Sequence, residues 1–172
     1  CAFSVLLAEN ILLCTVMNEK TTHEYKEVIA TCKELFARKT QDYGTAWRVL
    51  RLPSITDQIL IKAQRIRSIQ EKGVQKVDDP IKDEFIGIIY CVIAMIQLQL
   101  KDSDTLEMNF KELEPLYDQA VTETFELLQN KNHDYDEAWR EMRVSSMTDI
   151  ILMKLLRVKQ IENNDGKLLA SE

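Results

Sequence analysis

The chain has 172 residues, 45% of them hydrophobic and 29% charged, with a formal net charge of −6. That size allows one domain or two small ones, and the balance is that of an ordinary soluble globular protein. The acidic surplus argues against a general nucleic-acid binder, so an anionic ligand would need a local basic island.

Residues 1–16 are apolar but carry no basic leader, and they are too short for a comfortable membrane span. They read as a helical segment whose origin the sequence leaves open, and Met17 looks like a natural start. From Thr22 to Lys39 apolar residues recur at three and four, as in an amphipathic helix. Gly44 suits a left-handed cap at its end. Pro53-Ser54 opens the next helix, which runs to about Lys72-Gly73, and Ser54-x-x-Asp57 resembles a capping box. Asp79-Pro80 opens a third helix. It is apolar almost all round through Phe85–Ile96, as expected of a helix central in a bundle. Residues 102–107 read as a linker. A helix from about Met108 to Lys131 and another from Ser146 to about Asn163 follow.

These later helices repeat the earlier ones. Lys39-Thr-Gln-Asp42-Tyr43-Gly44-Thr-Ala46-Trp47-Arg48 returns as Lys131-Asn-His-Asp134-Tyr135-Asp136-Glu-Ala138-Trp139-Arg140, at an offset of 92 residues. The register holds without a gap from Tyr25/Tyr117 to Arg65/Arg157. Such self-similarity marks a duplicated structural unit. The expected architecture is all-α: a tandem duplication of a three-helix unit, packed as a helical bundle. Repeat 1 spans 17–101 and repeat 2 spans 108–172, the latter without its third helix in this chain. Residues 1–16 are expected to occupy the groove that helix would fill. The four cysteines show no Cys-x-x-Cys spacing and read as buried, reduced thiols of a cytoplasmic protein. A homodimer that buries residual apolar surface fits the same picture.

The repeated polar residues are the candidate site. Lys62 and Arg65, with Lys154 and Arg157, share a helix face at i,i+3. Arg48 and Arg51, with Arg140 and Arg143, add a second cationic pair. Such cations can clamp phosphate, or they can form a solvated face. Lys39/Lys131 and Asp42/Asp134 flank the turn. A carboxylate there could hold Mg²⁺ beside a substrate phosphate, with Asp83 and Glu84 as further metal candidates; equally, Lys39 and Asp42 could serve the helix end and the turn. Tyr43 and Tyr135 could stack on a base, whereas Trp47 and Trp139 read first as core anchors. Capping accounts for Asp57 and Asp149. No Gly-rich phosphate loop or catalytic triad pattern is present.

The Lys-x-x-Asp-Tyr-Gly turn, the following Trp and the helix carrying Asp57, Lys62 and Arg65 resemble the nucleotide modification associated domain 1 family. The acidic-headed helix with a central Tyr adds to the likeness. The resemblance covers most of 24–100 and again 117–161. It implies a role in handling nucleotides. A more distant similarity is to the MazG-like all-α nucleoside-triphosphate pyrophosphatases, which implies Mg²⁺-dependent hydrolysis of non-standard nucleotides. Here, however, Lys62 and Arg65 stand where those enzymes carry acids, and Ile86 stands where the family commonly has Asp. The sequence therefore supports a nucleotide or other phosphorylated small molecule as partner. The alternative is a non-catalytic helical interaction or scaffold module. Convergence of Asp42, Tyr43, Lys62 and Arg65 on one open cleft would favour the first.

Overall fold

The computed structural model describes residues 2–74, 85–100, 106–135 and 137–167, with side chains from residue 19 onward except 85–86 and 133–135. The described residues form five helices and no strand: α1 (Ala2–Tyr43), α2 (Leu52–Lys72), α3 (Phe85–Gln99), α4 (Phe110–Tyr135) and α5 (Val144–Asn163). A single 3-10 turn, Ala46–Val49, joins α1 to α2, and its counterpart Ala138–Glu141 joins α4 to α5.

The helix ends follow from a few residues. Gly44 takes a φ of 60° and its N–H reaches the Thr40 carbonyl at 2.9 Å, closing α1. Gly73 ends α2 in the same left-handed conformation. Only glycine adopts it without a Cβ penalty. In repeat 2 a left-handed residue precedes the second 3-10 turn as Glu137, at φ 57°, and the strain of a non-glycine residue is held by the contacts described below.

Two expectations are corrected. The caps of α2 and α5 are Arg51 and Arg143, without a side-chain bond, so Ser54 and Ser146 form no capping box. A true box opens α4 instead. The Asn109 side chain accepts from the Glu112 N–H at 3.2 Å, and Glu112 accepts from the Asn109 N–H at 2.8 Å. Secondly, α1 runs unbroken from Ala2, so residues 2–16 belong to the same helix as the first repeat's opening segment. Their docking against repeat 2 lies outside the described side chains.

Helices α1 and α4 pack antiparallel. The Tyr25 hydroxyl donates to the Val121 carbonyl at 3.0 Å, and Lys33 bridges Glu114 and Asp118 at 2.9 and 2.8 Å. Phe36 stacks on Tyr117, with centroids 5.2 Å apart. The apolar α3 rests on α1, α2 and α4. Its Ile89, Val92, Ile93 and Ile96 join Cys32, Phe36, Ile55, Leu113 and Tyr117 in one core drawn from both repeats. The Tyr117 hydroxyl is buried there without a partner, and burial pushes it above the usual tyrosine range. Cys32 is buried as expected, but Cys91 faces outward.

The α2–α5 interface shows the duplication most directly. Leu60 and Ala63 meet Leu152 and Leu155, their own equivalents 92 residues on. Lys159 bonds Asp57 at 2.5 Å, and Arg67 approaches Asp149 at 3.7 Å. Thr56 donates to Glu162 at 2.7 Å, and Gln70 donates to Thr148 at 3.1 Å. Each contact is the mirror of the other under exchange of repeats, as at an isologous dimer interface. Asp57 and Asp149 thus tie the repeats together and cap nothing.

Candidate functional site

Where α1 ends, its turn, α2 and α3 enclose a cavity of about 420 Å³. That lies in the range of small-molecule sites. Lys39, Thr40 and Tyr43 of α1, Trp47 of the turn, Lys62 of α2 and Tyr90 of α3 line it, over an apolar floor of Phe36, Ile89 and Ile93.

Local geometry explains the arrangement. Lys39 and Tyr43 are one helical turn apart, and the ammonium lies 5.3 Å from the Tyr43 ring centroid. Lys62 stands 5.9 Å from the centroid of Tyr90 across the α2–α3 contact. Both distances are within cation–π range. Gly87 of α3 lies beside the Lys62 stem, where an added Cβ would make ordinary van der Waals contact, 3.8 Å from Lys62 Cδ. No carboxylate stands among the described lining residues. The cavity is therefore a basic island in a chain of net charge −6. A neighbouring open recess shares Tyr43, Gly44 and Ala46 and is lined by Arg48 together with Glu107 and Glu112.

The Trp47 ring packs on the core as expected, yet its indole N–H is buried without a hydrogen-bond partner. Such a donor costs roughly 1–3 kcal/mol when left unpaired. The sequence offered a signal that is visible only with the structure. In repeat 2 the equivalent Trp139 Nε1 donates to Asn132 Oδ1 at 3.2 Å, and the position of Asn132 is Thr40 in repeat 1.

Other candidates stand elsewhere. Arg48 is buried, donating to Gln97 Oε1 at 2.5 Å and to the Leu100 carbonyl at 3.2 Å; it fastens the turn to the end of α3 and does not line the cavity. Thr45 secures the same corner by donating to the Leu106 carbonyl at 2.6 Å and accepting from the Met108 N–H. Arg140 is also structural. It donates to Glu24 at 2.6 Å, to Glu137 at 2.7 Å and to Thr21 at 2.6 Å, and Thr21 donates to Glu137. The Arg140 hydrogen bond foremost holds the Glu24 carboxyl below its ordinary value. Burial pushes Glu137 up, but the bonds from Thr21 and Arg140 outweigh it and leave the carboxyl lowered. Arg48 and Arg140 thus both hold protein partners at these corners.

Asp42 is exposed and Arg65 half-buried, and neither lines the cavity. Lys131, Lys154 and Arg157 are exposed on repeat 2. The side chains of Asp134 and Tyr135, and all of Asp83 and Glu84, lie outside the described residues. Among the described residues no group of three or more His, Cys, Asp or Glu could hold a metal ion, and no helix is long and apolar enough to cross a membrane. Of the four residues whose convergence was the test, Tyr43 and Lys62 line one cavity, together with Lys39, while Asp42 and Arg65 do not.

A family model described as nucleotide modification associated domain 1 matches residues 39–98 and 131–172, together more than half of the chain. Each segment contains one copy of the tryptophan turn and the helix after it, and the first extends across nearly all of α3. No curated protein and no solved structure matches the chain.

Proposed function

Because the chain belongs to the nucleotide modification associated domain 1 family, we propose that it binds a nucleotide, or a closely related phosphorylated small molecule, in the cavity of repeat 1. The observation that carries this reading is the meeting of two lysine–tyrosine pairs, Lys39–Tyr43 and Lys62–Tyr90, on one cavity without a described carboxylate. Ammonium groups complement phosphate, and tyrosine rings offer a stacking face to a base. Tyr43 is 69% exposed, so it can swing onto a ligand at small packing cost. We infer a cytoplasmic setting from the cysteine spacing, and a homodimer from the apolar side chains exposed on α5.

Hydrolysis of non-standard nucleoside triphosphates would require Mg²⁺ and carboxylates to hold it. Asp42 is the described candidate nearest the cavity in sequence, and it stands outside the lining. The reading is therefore of binding, with no hydrolytic step derived. A second reading, a non-catalytic scaffold, draws on a separate observation: the reciprocal α2–α5 contacts and the Arg48 and Arg140 corners account structurally for several of the duplicated residues.

A thermal-shift and calorimetric screen of nucleoside mono-, di- and triphosphates, with and without Mg²⁺, separates the two. Binding that falls at least tenfold in Lys62→Ala and in Lys39→Ala supports the cavity. No binding by any of them leaves the scaffold reading.

A further inference from the structure

We propose that α5 carries a docking seam for α5 of a second copy of this chain, packed antiparallel, and that Lys154 sets that direction. This rests on the homodimer reading above and names the face that forms it.

The duplication shows which exposed apolar residues are out of place. Along α2, Leu52, Ile55, Ile59, Lys62, Ile66 and Ile69 follow one another at three and four residues. Ile55 is fully buried, and the other four apolar members are half-buried. Lys62 lies over the Tyr90 ring and Ile55 shares the core with Ile89 and Val92, so this is the stripe that α3 covers. The 92-residue offset turns it into Val144, Met147, Ile151, Lys154, Val158 and Ile161 of α5. Every apolar member stays apolar. Yet Val144 is 69% and Ile151 51% exposed, and Val158 is exposed with them. On α4, Leu127 is exposed as well, although its counterpart Leu35 packs on the core. Met153 differs in kind. It is exposed, but so is its counterpart Ile61, which marks that position as ordinary surface in both repeats.

Spacing of three and four sustained along a helix is the pattern of a helix-pair seam. A run of apolar side chains left open to water seeks such a partner. The stripe is matched to itself, so two copies can cover each other about a twofold axis. Direction follows from its one charge. In a parallel pair Lys154 would face the partner's Lys154, and like charges would oppose. In an antiparallel pair centred on the stripe, Val144 meets the partner's Ile161, Met147 meets the partner's Val158, and Ile151 meets the partner's Lys154. The lysine stem then packs on an isoleucine while its ammonium reaches water. One polar residue in a seam of this kind fixes register and partner number at a cost in affinity.

The test measures self-association of the full chain by sedimentation equilibrium. One pair of short helices suits a dimer Kd on the order of 1–100 µM, so loading runs from below to above that range. Ile151→Lys places two ammonium groups together at each crossing and should weaken the dimer more than about tenfold. Met153→Lys, on the same helix but off the seam, should change nothing. Ile151→Glu faces the partner's Lys154 and should lose less than Ile151→Lys. Lys154→Leu should tighten the dimer about tenfold. Circular dichroism checks that each variant keeps its helix content. Equal losses in Ile151→Glu and Ile151→Lys overturn the antiparallel seam, since in a parallel pair each residue faces its own copy. A dimer that Ile151→Lys does not weaken overturns the seam altogether and leaves the homodimer reading to another face. A wild type that stays monomeric over the whole range overturns both. Binding of a peptide with the sequence of α3 would then assign the face to a helix of another protein.

Discussion

In repeat 1 the tryptophan corner lies beside α3 and lines a cavity; in repeat 2 the described side chains of the same corner bond to one another and to α1. Trp47 keeps a free donor, whereas Trp139 commits its own to Asn132. Thr45 holds the segment before α4, while its counterpart Glu137 is drawn with Arg140 against Thr21 and Glu24 of α1. Lys62 meets Tyr90 of α3; Lys154 is exposed. The same motif thus meets different partners in the two repeats, and α3 supplies one wall of the cavity in repeat 1.

Covering by α3 should dominate the energetics. Ile55 is fully buried in the shared core, whereas its equivalent Met147 is half-buried. Ile55→Ala is expected to cost about 2–5 kcal/mol, and Met147→Ala about 1–2 kcal/mol, in denaturant unfolding. Equal losses would mean that α3 is not what distinguishes the repeats.

The corners come next. Removing Arg140 strands Glu137, which is 7% exposed, so Arg140→Ala should cost roughly 2–3 kcal/mol. The sign of its pH dependence follows from the lowered carboxyls of Glu24 and Glu137. Lowered folded values mean that the unfolded chain takes up protons first. The corner's contribution is full above the ordinary carboxylate value of 4.5 and is lost as the pH falls below it, through the folded values. The wild type should therefore lose stability on acidification, and Arg140→Ala should lose less over the same window. Parallel curves would show that the network is not what acid breaks.

Much of this is legible in the sequence. Three- and four-residue spacing marks the helices, Gly44 and Gly73 their ends, and the 92-residue echo the duplication. Lys39, Tyr43 and Lys62 stand out because the turn and the helix that hold them recur. What stays hidden depends on partners far along the chain. Arg48 and Lys62 look alike as repeated cations, but Gln97 and the Leu100 carbonyl, about fifty residues away, take the first and Tyr90 the second. Thr40 carries no signal of its own, because its meaning lies in the amide that Asn132 has and it lacks. Asp57 looks like a cap in sequence, since the interface it serves joins residues 102 apart.

The grip of α3 on α2 can be sharpened by a smaller change. Gly87 has room for a Cβ, which would touch the Lys62 stem at 3.8–3.9 Å. Helix interiors favour alanine over glycine by up to about 1 kcal/mol. Gly87→Ala should therefore raise stability by roughly 0.5–1 kcal/mol. If it instead destabilises, α3 approaches α2 more closely than this geometry allows, and the Lys62–Tyr90 wall with it.

The smallest effects are expected where the repeats agree. Asp57 and Asp149 are each more than half exposed, so neither ion pair is worth more than about 1 kcal/mol. Their interest lies in equality. If α2 and α5 meet across a true internal twofold, Asp57→Ala and Asp149→Ala should cost the same within about 0.3 kcal/mol, and the double variant should cost their sum, since the pairs share no partner. Salt should erase both losses together, because exposed pairs are screened alike. A clear inequality would place Lys159, at 2.5 Å, and Arg67, at 3.7 Å, in different environments. The asymmetry that α3 imposes on the outer faces would then reach through Leu60 and Leu152 to the inter-repeat seam. Equality would confine it to the outer faces, where the described side chains of the two corners meet different partners.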